Sequence, residues 1–244
     1  MRKALFAVMV VAAMALAAPA NASVVRGSGV HQAPNHKITQ STSSNWAGYA
    51  AIGTTFTSVS SSWTQPTASC TNAQTYSSFW VGLDGYSSNS VEQTGTDADC
   101  SASGVPSYYA WYEMYPKYPV NLKTRSYPVS PGDHLSASVT FTGRNSFKLT
   151  IADSTRGWTF TTSQKSGKAA RTSAEVIAEA PSSSSGVLPL TNFGAVSFSG
   201  STANGQPLST FSPDKIDMVS GTTTKATTGS ISGSGAFGVT WVHS

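Results

Sequence analysis

The sequence predicts an all-β domain, a sandwich or barrel of antiparallel strands, and three observations predict it. From Asn45 onward, short runs rich in Ser, Thr, Val, Phe, Tyr and Trp alternate with breaks at Gly, Pro and Asn. Leu135-Ser-Ala-Ser-Val-Thr-Phe-Thr142 alternates apolar and polar residues, turns at Gly143-Arg144-Asn145 and resumes at Phe147-Lys-Leu-Thr-Ile151. That is the pattern of a hairpin with one dry and one wet face. Helical periodicity is missing: the best candidate, residues 165–180, carries no 3.6-residue apolar stripe.

Taken in order, the chain opens with Met1-Arg2-Lys3, an apolar run over residues 4–17 and the small-x-small triplet Ala20-Asn21-Ala22. These are the parts of a secretory signal, residues 1–22, and they imply export of the mature protein to the extracellular space. The apolar run is short for a membrane span, so no membrane association is expected after cleavage. Residues 23–43 are polar and aperiodic and read as a flexible arm or short propeptide. Residues 44–244 show no internal linker and read as a single domain. Its strand-like runs include residues 46–52, 56–63, 157–161, 194–198 and 236–242.

Cleavage after Ala22 leaves 244 − 22 = 222 residues and removes Arg2 and Lys3, lowering the formal charge from +4 to +2. The remaining Lys and Arg are scattered, without the basic run that grips phosphates, so nucleic acid is not an expected partner. Cys70 and Cys100 are the only cysteines; in an exported chain such a pair suggests a disulfide, two buried thiols being the alternative. No motif argues for an oligomer, and a monomer is the default.

Several active sites are absent. There is no Gly-x-Ser-x-Gly elbow, no His-Glu-x-x-His and no phosphate-binding glycine loop, and the Cys and His residues lack zinc-ligand spacing. No metal or cofactor is therefore expected. His31 and His36 lie in the arm, His134 follows a turn and His243 is next to the C-terminus, so none is placed as a base. Carboxylates remain, and the chain has only 11. Asp84 and Asp97 flank Gln93; Glu113 sits in Tyr109-Ala-Trp-Tyr-Glu-Met-Tyr115; Glu175 and Glu179 sit in Thr172-Ser-Ala-Glu-Val-Ile-Ala-Glu-Ala180. Acidic groups among aromatics are functional-site candidates because their pKa values shift. Glu179 is read instead as a solvated carboxylate on the wet face of a strand.

Six motifs in order, Asn45-Trp-Ala-Gly48, Trp80-Val-Gly-Leu-Asp-Gly85, Gln93-Thr-Gly95, Ala110-Trp-Tyr-Glu113, Ala174-Glu175 and Asn192-Phe-Gly194, resemble those of the glutamic peptidases, or eqolisins. The resemblance runs from about residue 45 to the C-terminus. It implies a sandwich of two curved antiparallel sheets similar to lectins and glucanases, and endopeptidase activity on polypeptides at acidic pH. It also implies a catalytic pair, Gln93 and Glu175, supported by Trp80, Asp84, Asp97, Trp111 and Glu113. The chemistry suits the groups. An ionised Glu175 can take a proton from water and deliver it to the leaving amine, and the Gln93 amide can donate to a tetrahedral oxyanion, with no covalent intermediate.

Three features depart from the family pattern: Glu92 stands where an apolar residue is usual, Val176 replaces a frequent aromatic, and the protein is mildly basic. If the strand alternates, Glu92 faces away from Gln93. The competing readings are a carbohydrate-binding or glycoside-hydrolysing protein on the same scaffold and an inactive secreted sandwich. Gln93 discriminates, because a glycosidase uses two carboxylates and has no need of a fixed glutamine.

Overall fold

A computed structural model describes residues 42–244 and the two-residue strand Val25–Arg26. The expected leader and the rest of the arm lie outside the described residues. The strands, in chain order, are β1 (Val25–Arg26), β2 (Thr42–Ser43), β3 (Trp46–Ile52), β4 (Ser58–Thr64), β5 (Ser78–Leu83), β6 (Val91–Cys100), β7 (Pro106–Tyr115), β8 (Val120–Asn121), β9 (His134–Gly143) and β10 (Ser146–Asp153). They continue as β11 (Trp158–Lys165), β12 (Ser173–Glu179), β13 (Ser182–Ser183), β14 (Gly186–Val187), β15 (Ala195–Ala203), β16 (Gln206–Pro207), β17 (Asp214–Ser220), β18 (Thr223–Thr228) and β19 (Phe237–Trp241).

They form two layers joined through β17. One sheet runs β17-β3-β12-β5-β6-β7-β8-β1, the other β11-β10-β9-β4-β15-β19-β18-β17. The start of β17, Asp214 to Ile216, pairs with β3, while Met218 to Ser220 pair with β18, so one strand crosses between layers. Pairing is antiparallel except where β2 runs parallel to β17. Within the arm, Val25–Arg26 pair with β8 at one edge of the first sheet, and Thr42–Ser43 pair with Asp217 and Met218 of β17 where that strand passes into the second.

The main core lies between the layers. The first sheet contributes Phe79, Val81, Leu83, Val176 and Ala178, and the second Leu135, Val139, Phe147, Leu149, Ile151, Val196 and Phe198. The second sheet alternates as its sequence predicts, and its outer face is hydroxylic. Ser58, Ser60 and Ser62 pair with Thr140, Ser138 and Ser136, and Thr150 pairs with Ser138 and Thr161. The first sheet does not alternate. Every residue of β5, β6 and β12 is buried, because a second cluster of Trp46, Ala50, Trp80, Val91, Trp111, Ile177 and Ile216 covers its outer face. Glu179 is therefore not on a wet face. It is 0% exposed beneath these indoles, and the reading of it as solvated is corrected.

Cys70 and Cys100 form a disulfide that closes a 30-residue loop and pins the end of β6. Loop closure of that length is worth about 3 kcal/mol through the unfolded chain. A Cys70→Ser, Cys100→Ser double variant is expected to lose roughly that much in denaturant unfolding with a larger m-value, because the unlinked unfolded chain exposes more surface; an unchanged midpoint and m-value would show that the bridge does not constrain the unfolded state.

Candidate active site

The site is a line of residues set by strand register. Gly82 of β5 pairs with Glu175 of β12 on one side and Gln93 of β6 on the other. Gln93 pairs in turn with Glu113 of β7, Glu175 with Ala50 of β3, and Ala50 with Asp214 of β17. Since directly opposed residues share a face, Asp214, Ala50, Glu175, Gly82, Gln93 and Glu113 form one row across the sheet. Glu175 and Gln93 are two strands apart, roughly 10 Å between backbones. Gly82 leaves the space between them open. A Cβ there would lie 2.9 Å from Trp80 Cζ3 and 3.1 Å from Gln93 Cβ, so even a methyl group does not fit.

The Gln93 amide is oriented by Glu113: its Nε2 donates to Glu113 Oε2 at 2.8 Å. A carboxylate accepts but does not donate, which fixes which end of the amide faces it. Gln93 Oε1 and both carboxyl oxygens of Glu175 are buried with no donor in bonding geometry. Three acceptors thus flank the gap at Gly82. Burial holds the Glu175 carboxyl well above the usual carboxylate range. The Ser173 hydroxyl and the Tyr86 backbone N–H oppose that rise, while the charges of Asp84 and Glu92 add to it.

The next rows along the strands hold the other indoles and acids. Trp80 pairs with Ile177 and with Gly95, which pairs with Trp111. Gly95 is required here, since a Cβ would fall 2.2 Å from the Phe79 carbonyl oxygen and 2.5 Å from Trp80 Cβ. Beyond it, Glu179, Ser78, Asp97 and Tyr109 are aligned. Asp97 accepts from Trp111 Nε1 and from Ser78 Oγ at 2.6 Å. Glu179 accepts from Trp80 Nε1 at 2.7 Å and Asn45 Nδ2 at 2.9 Å. Burial pushes Glu179 well up, against the pull of the Trp80 N–H. It does the same to Asp99, where the neighbouring Asp97 charge adds to the rise and Tyr109 donates to the carboxylate at 2.8 Å. Among the described residues, no group of three or more His, Cys, Asp or Glu is arranged to hold a metal ion.

Chain comparisons bear on what this arrangement is. A family model described as Peptidase A4 family matches residues 44–241. The chain belongs to the peptidase A4 family. Within reach of that family it is 30% identical over 184 residues to aspergillopepsin-2 of Aspergillus niger, covering 66% of this chain and 64% of the relative. It is 33% identical over 161 residues to scytalidopepsin B of Scytalidium lignicola, covering 63% and 59%. The match thus spans about three fifths of each relative's length. In structure, it superposes on scytalido-glutamic peptidase bound to a transition-state analog inhibitor with a TM-score of 0.70 at 28% identity, over 82% of this chain and 98% of that one. The aspergilloglutamic peptidase of Aspergillus niger gives 0.59 at 30% identity, over 68% and 99%. The A4 fold is therefore that of the eqolisin β-sandwich, as the motifs implied.

Of the residues singled out in sequence, Gln93, Glu175, Glu113, Trp80, Asp97 and Trp111 share the outer face of the first sheet. Asp84 stands apart at the end of β5. Its carboxylate accepts the backbone N–H groups of Arg171 at 2.7 Å and Thr172 at 2.9 Å, fixing the entry into β12 two residues before Ala174-Glu175. Sequence reasoning passed over Asp99, Tyr86, Asp214 and the role of Glu179. Only spacing could have found Asp99 and Glu179, each an even number of residues from a chosen acid and so on the same face.

Glu92 pairs with Leu83 and Met114 and is buried on the side opposite Gln93. Burial pushes its carboxyl up to about 8, with the Ser166 hydroxyl opposing and Asp84 adding to the rise. A raised folded-state pKa stabilises fully below the unfolded value and is lost as pH climbs. The melting temperature is therefore expected to be highest below pH 4.5 and to fall toward pH 8, and Glu92→Gln is expected to flatten that fall. Identical Tm-versus-pH curves for wild type and variant would remove Glu92 from this account.

Proposed function

We propose that the mature protein is a secreted endopeptidase that hydrolyses polypeptides on the acid side of neutrality, using Glu175 and Gln93 without a covalent intermediate. The observation that carries this is the row through Gly82, which sets an unpaired carboxyl and a clamped amide on either side of a gap. A water bridging Glu175 and Gln93 Oε1 satisfies acceptors that otherwise have no donor. Ionised Glu175 takes one proton from that water as its oxygen attacks the peptide carbonyl carbon. The second Nε2–H of Gln93, free of the bond to Glu113, donates to the oxyanion. The C–N bond then breaks and Glu175 returns the proton to the leaving nitrogen. Water has then been divided between the two products and the enzyme is unchanged.

Two further features support an acid setting and export. Nine of the eleven Asp and Glu are buried and the other two, Asp214 and Asp217, are half-buried, so acidification changes the charge of the outer surface little. The leader-like first 22 residues support secretion, and no helix among the described residues is long and apolar enough to cross a membrane. The glycosidase reading is disfavoured by the same row, because Gln93 stands between Glu113 and Glu175 and bonds to the former.

The test is cleavage of a denatured protein across pH 2 to 7 with pepstatin present. Glu175→Gln is expected to lower kcat about 10²–10⁴-fold and Gln93→Ala about 10²–10³-fold. The acid limb of wild-type kcat/KM is expected above 4.5, since the base form appears only as pH passes the raised Glu175 value. Activity that survives in both variants would defeat the proposal. Filling the gap with Gly82→Ala is expected to cost about 10²-fold in kcat through displacement of the pair, checked by single-turnover kinetics on protein whose circular dichroism is unchanged.

A further inference from the structure

We infer that Tyr86, anchored by Asp214, is a positioning residue for Glu175: it straps residues 84–90 over the glutamate end of the row. This rests on the reading of Glu175 as the base. Asp84 and Gly85 follow β5 in consecutive left-handed conformations, φ 70° and 107°, and turn the chain sharply onto the outer face of the sheet. Gly85 is pressed so close to that face that a Cβ would lie 2.6 Å from Val91 Cγ2 and 3.0 Å from Trp46 Cη2. The next residue, Tyr86, packs on the cluster of Trp46, Trp80 and Trp111, and its hydroxyl donates to Asp214 Oδ2 at 2.6 Å.

The register shows what this bond spans. Tyr86 leaves from β5, and Asp214 lies on β17, with β12 and β3 between them. In the row those two strands contribute Glu175 and Ala50, so the phenol crosses over both. Beneath the strap Glu175 is 0% exposed, and the nearby Tyr86 backbone N–H favours its ionised form without a hydrogen bond in standard geometry. The other groups that act on Glu175 are Ser173 of its own strand, Asp84 at the end of β5 and, from the opposite face of the sheet, Glu92 of β6. The two carboxyl groups oppose ionisation of Glu175 wherever they are charged, so the Tyr86 N–H and the Ser173 hydroxyl are what favour the ionised form. Burial, together with the bond to Asp214, pushes the Tyr86 phenol up to about 12, which keeps it a donor throughout the working range.

Tyr86→Phe removes one oxygen and Asp214→Asn leaves the acceptor neutral and similar in shape. Each is expected to lower kcat about tenfold with KM within about twofold, and to move the acid limb of kcat to higher pH. The double variant is expected to lose no more than either single one, because both break the same bond. Titrating the Glu175 carboxyl by infrared difference spectroscopy against Glu175→Gln gives the same shift without reference to turnover. Profiles of both single variants superimposing on the wild type, with any loss confined to Tm, would overturn the inference. A Glu175→Gln variant that still cleaves would instead overturn the reading beneath it.

Discussion

The constraint on which the site depends is the backbone register of β12 and β6 on a shared neighbour. Both strands pair with β5, and both place a candidate catalytic residue opposite Gly82. A slip of one residue on either strand would send Glu175 or Gln93 into the inter-sheet core and bring Ala174 or Val176, or Glu92 or Thr94, out in its place. The absence of a side chain at Gly82 is as specific as the presence of one at Gln93. Gly95 serves one row along in the same way, admitting Trp80 against the strand so that its indole N–H can reach Glu179. Glycine here is selected for closeness of approach, not for turn conformation.

Such a site requires acids to be buried, which is costly unless each is neutral or hydrogen-bonded. The structure meets that cost in two ways. Asp84 and Asp97 take backbone, hydroxyl or indole donors, as Glu179 does from Trp80 and Asn45. Glu92 and Glu175 lack such bonds, and burial raises them so that the neutral form persists in acid. The same economy governs the exterior. The outer face of the second sheet is lined by Ser and Thr, and the ion pairs among the described residues are few: Arg156 with Asp133 and Asp153, and Lys215 with Asp217. A surface of hydroxyls and cations keeps its interactions as carboxylates elsewhere become protonated. Among the described residues most acids are buried and most bases exposed, with Lys225 a buried exception whose pKa burial lowers.

Asp84 links these two themes. It adopts a left-handed conformation unusual for a residue other than glycine, and its carboxylate holds the backbone of Arg171 and Thr172 at the entrance to β12. One residue therefore turns the chain toward the strap bearing Tyr86 and fixes the strand bearing Glu175. The Arg171 guanidinium meanwhile lies 3.9 Å over the Phe141 ring, tying that connection to the second sheet.

The sequence by itself indicated the strands of the second sheet and suggested the Cys70–Cys100 bridge, and the resemblance of its motifs picked out Gln93 and Glu175 as the candidate pair. Alternation is a local signal, and it survives wherever one face is wet, as in β9 and β10. It fails on the first sheet, where both faces are dry and Phe79-Trp80-Val81 reads as a continuous apolar run. For that reason Glu179 looked solvated: nothing local says that Trp80, 99 residues away, donates to it. Glu92 was legible as facing away from Gln93, because a strand period of two needs no tertiary information. Only the tertiary structure decided that Glu113 clamps the glutamine and that Gly82 holds the gap. It alone joined Tyr86 to Asp214 across 128 residues. These are register relations between strands distant in the chain, and register is set by how two sheets close on a common core, which no single strand encodes.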